Sequence, residues 1–74
     1  MLKIELSEKQ SNLLKRISAP YDPEKDYSDD DDLIELEHFI TDYVLEHEVE
    51  NGEVSKFGEQ LLAVHGYIID KYDS

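Results

Sequence analysis

Carboxylates are the side chains of this sequence with the clearest potential for chemistry. Twelve of them lie between Asp26 and Ser55, and no lysine or arginine interrupts them. Such a set can bind a cation, supply a general acid and base, or attract a basic partner. The twelve are Asp26, Asp29, Asp30, Asp31, Asp32, Glu35, Glu37, Asp42, Glu46, Glu48, Glu50 and Glu53.

Calcium binding is the first of these three possibilities. Positions 1, 3, 5, 7 and 12 of a twelve-residue segment are Asp26, Ser28, Asp30, Asp32 and Glu37. This spacing resembles the EF-hand loop, which implies a calcium site. The sequence departs from that family at position 6, where Asp31 stands in place of the glycine that the turn needs. Pro20 and Pro23 also fall where the entering helix should lie. We therefore expect no metal site and no cofactor.

Catalysis is the second possibility, and the sequence argues against it. Acid–base chemistry needs two groups held in unlike environments within a cleft, which a chain of 74 residues seldom encloses. No glycine-rich phosphate loop and no nucleophile–histidine arrangement occurs. His38 and His47 are nine residues apart in one predicted helix, so they point to opposite sides, and His65 belongs to another helix. We expect no enzyme and no catalytic residues.

The charge distribution favours the third possibility, a basic protein partner. The chain carries a net charge of −12, and an excess of two positive charges in residues 1–16 contrasts with −14 in the remainder. This surface repels nucleic acids and anionic membranes and attracts basic proteins. We expect a non-enzymatic interaction module that inhibits a basic partner or mimics nucleic acid toward it. The predicted partner-binding residues are Asp29, Asp30, Asp31, Asp32, Glu35, Asp42 and Glu46, with the apolar Ile34 and Leu45 beside them.

The segment Ser28–His47 places a run of acids before an amphipathic helix. In this it resembles the second helix of the colicin-type nuclease immunity proteins, which are small acidic helical proteins that block a basic nuclease. The resemblance covers 20 of the 74 residues. The paired tyrosines of that family's third helix have no counterpart in this sequence. The resemblance implies an inhibitor of a basic protein.

Two other functions stay open. A domain of this size buries only about 60% of its unfolded surface, which favours a homodimeric structural or accessory protein whose charge serves solubility. A short strand followed by two helices, over Leu2–His47, also resembles the ribbon–helix–helix repressors, in which strands of two chains pair and enter the major groove. Lys3 and Glu5 would then face the DNA, which the net negative charge opposes.

The first half of the sequence predicts one short helix and a connector. Leu2, Ile4 and Leu6 alternate with charged residues, which is typical of a short strand over 2–6. This segment either pairs with a second copy or lies on the helices as an arm. Ser7 and Gln10 form the capping-box pattern that begins a helix, here over about 7–18. Residues 19–31 are an acidic, proline-containing connector with Tyr21 and Tyr27 as anchors.

Two longer helices complete a mostly α single domain over 1–74. Apolar residues at helical spacing predict an antiparallel helical hairpin over about 32–49 and 54–72, with Asp32 and Glu35 capping its first helix. Asn51-Gly52 can form either a two-residue β-hairpin turn or a helix stop, and we favour the helix stop. The first apolar stripe holds Leu33, Leu36, Phe39, Ile40, Tyr43, Val44 and His47, and the second holds Phe57, Leu61, Val64, Ile68 and Tyr72.

The sequence also bears on location. There is no cysteine, and no apolar run reaches the length of a membrane span or a signal peptide. We expect a cytoplasmic protein.

Overall fold

The computed structural model describes residues 1–72 and is mostly helical, as the sequence predicts. Its elements in chain order are α1 (Glu8–Arg16), α2 (Asp30–His47), β1 (Val49–Glu50), β2 (Glu53–Val54) and α3 (Lys56–Tyr72). α3 packs against both α2 and α1, and the contact with α2 is the more extensive. α3 is therefore the central helix.

The predicted capping box begins α1. The Ser7 hydroxyl accepts a hydrogen bond from the backbone N–H of Gln10 at 3.1 Å, and the Gln10 side chain accepts one from the N–H of Ser7 at 2.9 Å. Lys15 and Arg16 lie in the last turn, where cations interact favourably with the helix dipole. Leu13 and Leu14 face the core, so this nine-residue helix gains its stability by docking.

α2 begins two residues earlier than the sequence suggested. Asp29 is the N-cap, and its carboxylate accepts a hydrogen bond from the N–H of Asp31 at 2.9 Å. The predicted capping pair of Asp32 and Glu35 is therefore wrong. With Asp29 as the cap, the next three aspartates occupy the first turn, where the positive end of the helix dipole stabilises them.

A small β-hairpin joins α2 to α3, so the helix stop that we favoured at Asn51-Gly52 is also wrong. β1 pairs with β2 in antiparallel register, with Val49 opposite Val54. Asn51 has φ 54° and Gly52 has φ 79°, and a type I′ turn needs two positive values. The hairpin still reverses the chain, so α2 and α3 form the predicted antiparallel pair.

The core lies between these two helices and is closed by α1, the connector and the N-terminal arm. Both predicted apolar stripes supply core residues, and their aromatic members lie at its edge, half buried. His47 is an exception, because it is exposed and contacts the ring of Tyr43, with 4.6 Å between centroids. The wholly buried side chains include Ile4, Leu36, Ile40, Leu61 and Ile68.

Residues 2–6 form no regular strand and lie on the helices as an arm, the second of the two predicted arrangements. Ile4 is wholly buried, while its neighbours Lys3 and Glu5 are exposed. Tyrosines hold the arm: the Tyr21 hydroxyl donates to the carbonyl of Ile4 at 2.8 Å, and the N–H of Glu5 donates to the Tyr72 hydroxyl at 2.9 Å.

The connector is anchored by its aromatic residues, as predicted. Tyr27 is 1% exposed, and its hydroxyl donates to the carbonyl of Pro20 at 3.0 Å and accepts from the N–H of Asp22 at 3.1 Å. The N–H of Tyr27 donates to the carbonyl of Leu2 at 2.7 Å. The connector therefore fixes the start of the arm.

Asp26 completes this attachment. Its carboxylate accepts hydrogen bonds from the Ser28 hydroxyl at 2.5 Å, from the N–H of Leu2 at 2.8 Å and from the N–H of Ser28 at 2.9 Å. These bonds, with the Ser28 hydroxyl contributing most, lower the pKa of Asp26 from 3.8 to about 2.

This shift predicts how the arm attachment depends on pH. Because the folded pKa is depressed, the contribution of Asp26 to stability is present above about pH 4 and is lost as the pH falls toward 2. We expect Asp26→Asn to lower the urea midpoint at pH 7 and to have little effect at pH 2. Asp70→Asn, an exposed change on α3, is the control. A difference between wild type and Asp26→Asn that is equally large at both pH values would contradict this role.

Candidate protein-interaction surface

The solvent-facing side of α2 carries one continuous line of exposed residues. They recur at intervals of three or four positions, which places them on one side of the helix, opposite the core residues. We call this set the acidic stripe. It consists of Asp31, Ile34, Glu35, His38, Asp42, Leu45 and Glu46.

Two apolar side chains lie near the ends of the acidic stripe. Ile34 is 43% exposed and Leu45 is 69% exposed, and their separation of eleven residues corresponds to about 16 Å along the helix. Glu35 and Asp42 lie between them, seven residues or about 10.5 Å apart. The stripe thus offers apolar contact area and negative charge together.

The remaining predicted binding residues lie at the start of α2, and two of them have structural contacts. Asp29 caps the helix, and Asp32 is half buried with its carboxylate 3.5 Å from the ammonium of Lys25. Asp30 is exposed in the first turn. The structure therefore brings together Asp31, Ile34, Glu35, Asp42, Leu45 and Glu46. Asp30 lies one turn before Ile34, while Asp29 and Asp32 are engaged in the contacts just described.

His38 lies in the middle of the acidic stripe, and the sequence had not included it in the binding face. Its spacing of three or four residues from Ile34, Glu35 and Asp42 was the signal that places it there. His65 of α3 is partly buried. Burial lowers the pKa of His65, and the nearby His38 lowers it further.

The EF-hand spacing does not produce a loop. Asp30, Asp32 and Glu37 all lie within the continuous helix α2, and Glu37 is 5% exposed on its core side. Glu37 lies four residues after Leu33 and three residues before Ile40, and this helical spacing was the signal that places it on the core side. Within residues 1–72, no three potential metal-ligating side chains come together.

A second surface, which the sequence analysis missed, is a groove between α1 and α3. Its lining includes Lys9, Leu13 and Arg16 of α1 and Gln60 and Ala63 of α3. The Arg16 guanidinium lies over the ring of Phe57, 4.4 Å from its centroid, which fixes this cation at one end of the groove. Helical periodicity describes one helix at a time, so it cannot predict a contact between α1 and the first half of α3.

Comparison with protein-family models, with curated proteins and with solved structures found no match for this chain. Among the helices of residues 1–72, none combines the length and the apolar character needed to cross a membrane. The geometry of the two surfaces is therefore the basis for a functional hypothesis.

Proposed function

We propose that this protein is a small interaction module without catalytic activity, which binds a basic protein surface through the acidic stripe of α2. The observation that carries the proposal is the composition of that stripe: four carboxylates, two exposed apolar side chains, and no lysine or arginine. Opposite charge accelerates association and fixes register, while apolar side chains supply area that is buried on binding.

The form of the stripe supports an inhibitory role. A helix of 18 residues spans about 27 Å, so α2 can lie along a basic groove. A partner that uses such a groove for nucleic acid would then be blocked by charge of the same sign as phosphate. The sign and shape of the surface, rather than a match in charge spacing, support inhibition or nucleic-acid mimicry.

The DNA-binding alternative receives no comparable support. A ribbon formed by two arms needs free backbone groups in residues 2–6. In this chain the carbonyls of Leu2 and Ile4 and the N–H of Glu5 already bond to tyrosines of the same chain. Release of these bonds would have to precede strand pairing.

The proposal predicts that capture of basic proteins depends on the stripe. A tagged protein is used as bait at low and at high salt. We expect the wild type to retain basic proteins at low salt and to release them at high salt, because screening weakens exposed charge interactions. Glu35→Gln, Asp42→Asn and Glu46→Gln combined should abolish most of this capture.

A charge-matched control separates the stripe from net charge. Glu50→Gln, Glu53→Gln and Asp70→Asn combined remove three exposed carboxylates outside the stripe, and this variant should retain basic proteins nearly as well as the wild type. Leu45→Ala in the wild-type background tests the apolar contribution and should weaken capture at both salt concentrations. Equal losses for both triple variants would refute a localised binding face.

A further inference from the structure

The α1/α3 groove carries two cations in a protein whose net charge is −12. Lys9 and Arg16 lie on its rim, and Glu8 is the acidic residue beside them. The first sixteen residues hold four of the seven lysines and arginines of the chain. The groove is therefore a place where an acidic helix would meet favourable charge.

The charges of the groove and of the acidic stripe have matching spacing. Lys9 and Arg16 are seven residues apart on one side of α1, about 10.5 Å along its axis. Glu35 and Asp42 are also seven residues apart on α2. Two carboxylates of one helix can thus lie opposite two cations of another without distortion of either helix.

Apolar residues occur on both surfaces. Leu13, which is 9% exposed, forms the floor of the groove between the two cations, and Ala63 borders the groove on the α3 side. Ile34 immediately precedes Glu35, and Leu45 is three residues beyond Asp42, so both apolar side chains of the stripe flank this carboxylate pair. A small residue such as Ala63 leaves room for a bulky side chain from the other helix.

We propose that the acidic stripe of one copy docks in the α1/α3 groove of a second copy, with Glu35 and Asp42 opposite Lys9 and Arg16. This inference rests on the proposed function, because it names the basic partner of the same stripe. The stripe lies on the exposed side of α2, opposite its core residues, whereas the groove lies between α1 and α3. It therefore cannot reach the groove of its own copy.

The geometry determines the type of assembly. The two contacting surfaces differ, so the contact is heterologous, and each pair keeps one free groove and one free stripe. A single helix in a groove is at the small end of specific interfaces, and a net charge of −12 on every copy opposes growth. Weak, concentration-dependent association into short chains follows.

Charge reversal tests this contact by sedimentation velocity over a concentration series at physiological salt. Lys9→Glu with Arg16→Glu gives a net charge of −16, and Glu35→Lys with Asp42→Lys gives −8, from −12 in the wild type. We expect either double variant to lower the association constant at least about tenfold, since like charges then face each other. The variant with all four changes again has −12 and should associate like the wild type.

The alternative outcomes are distinct. If the association constant increased as the net charge of the variants rose from −16 through −12 to −8, net charge alone would control association. That result would overturn the proposal. The variant Glu50→Lys with Glu53→Lys also has a net charge of −8, but both residues lie outside the two surfaces. Its association constant should equal that of the wild type. A monomeric wild type at every concentration would overturn the proposal as well.

Two further measurements keep the test interpretable. Circular dichroism establishes that each variant folds, and Lys9→Glu alone replaces the double groove variant if loss of the Arg16–Phe57 contact destabilises the fold. A decalysine peptide, titrated by calorimetry, probes the stripe separately. If its binding depends on Glu35 and Asp42 while self-association is absent, the docking proposal fails and the proposed function stands. If its binding is indifferent to the stripe, the proposed function fails too.

Discussion

Replacement of Ile40 by alanine is expected to lower the free energy of unfolding by about 2–5 kcal/mol. Ile40 is wholly buried near the middle of α2, in the core shared with α3. Alanine removes apolar contacts and leaves a cavity that the packed helices cannot fully close. The total stability of a 74-residue domain is only of the order of 4–11 kcal/mol, so a large share of it should be lost. Urea denaturation followed by circular dichroism measures the change.

Leu45→Ala is the matched control for this prediction. It shortens a branched aliphatic side chain in the same helix, but Leu45 is 69% exposed and lies on the opposite side. We expect a change within about 0.5 kcal/mol. Similar losses for the two variants would mean that α2 does not bury the side described above, and would also remove the basis of the acidic stripe.

Two glycines of α3 should respond in opposite directions to alanine. A Cβ at Gly58 would lie 2.7 Å from Cγ1 of Val54 and 2.9 Å from Cβ of Glu48. Neither atom can move away easily, because Val54 is β-branched and the Cβ of Glu48 is bonded directly to the backbone. Overpacking costs about 1–3 kcal/mol, which exceeds the helix-propensity gain of about 1 kcal/mol. We expect Gly58→Ala to destabilise the protein.

Gly66→Ala should stabilise it. No atom lies within 4 Å of a Cβ built at Gly66, and the residue is in the interior of the helix. Alanine there gains about 0.5–1 kcal/mol because it restricts the unfolded chain more than glycine does. Thermal melting of both variants measures the difference. A stabilising Gly58→Ala would show that β2 and the end of α2 do not approach α3 as closely as described.

The features that the sequence predicted correctly are encoded locally. Ser7 and Gln10 are three residues apart and satisfy each other's backbone groups in any helix that begins there. The stripes that contain Ile40 and Ile68 depend only on helical spacing, and both residues are wholly buried. Tyr27 was identified as an anchor because a large aromatic residue in a connector gains by burial.

The errors concern choices among locally equivalent solutions. Any of the four consecutive aspartates can cap a helix, and only the first leaves three acids for the first turn. Asn51-Gly52 suits both a type I′ turn and a helix end, and the pairing of Val49 with Val54 is a contact between strands that periodicity does not encode. Glu37 falls at the last position of the EF-hand spacing, from which we expected no metal site, and helical periodicity places it next to core residues.

The candidate surfaces also divide into one that local spacing predicts and one that requires the tertiary fold. Ile34, Glu35, Asp42, Leu45 and Glu46 share a side of one helix, so the sequence sufficed to group them. The α1/α3 groove depends on the contact of two helices forty residues apart in the chain, shown by Arg16 over Phe57. Such tertiary contacts need the fold before they can be seen.

Tyrosine hydroxyl groups secure the start of the chain, and this has a practical consequence for spectroscopy. The protein has five tyrosines and no tryptophan, so its near-ultraviolet absorbance and emission come mainly from phenol rings. Tyr21 and Tyr72 bond directly to residues 4 and 5, and Tyr27 bonds to residue 2 through its backbone. The signals of these three phenol rings therefore report detachment of the first six residues, while the amide signal reports loss of helix. Divergence of the two melting curves would reveal an intermediate in which the arm has left an otherwise intact helical pair.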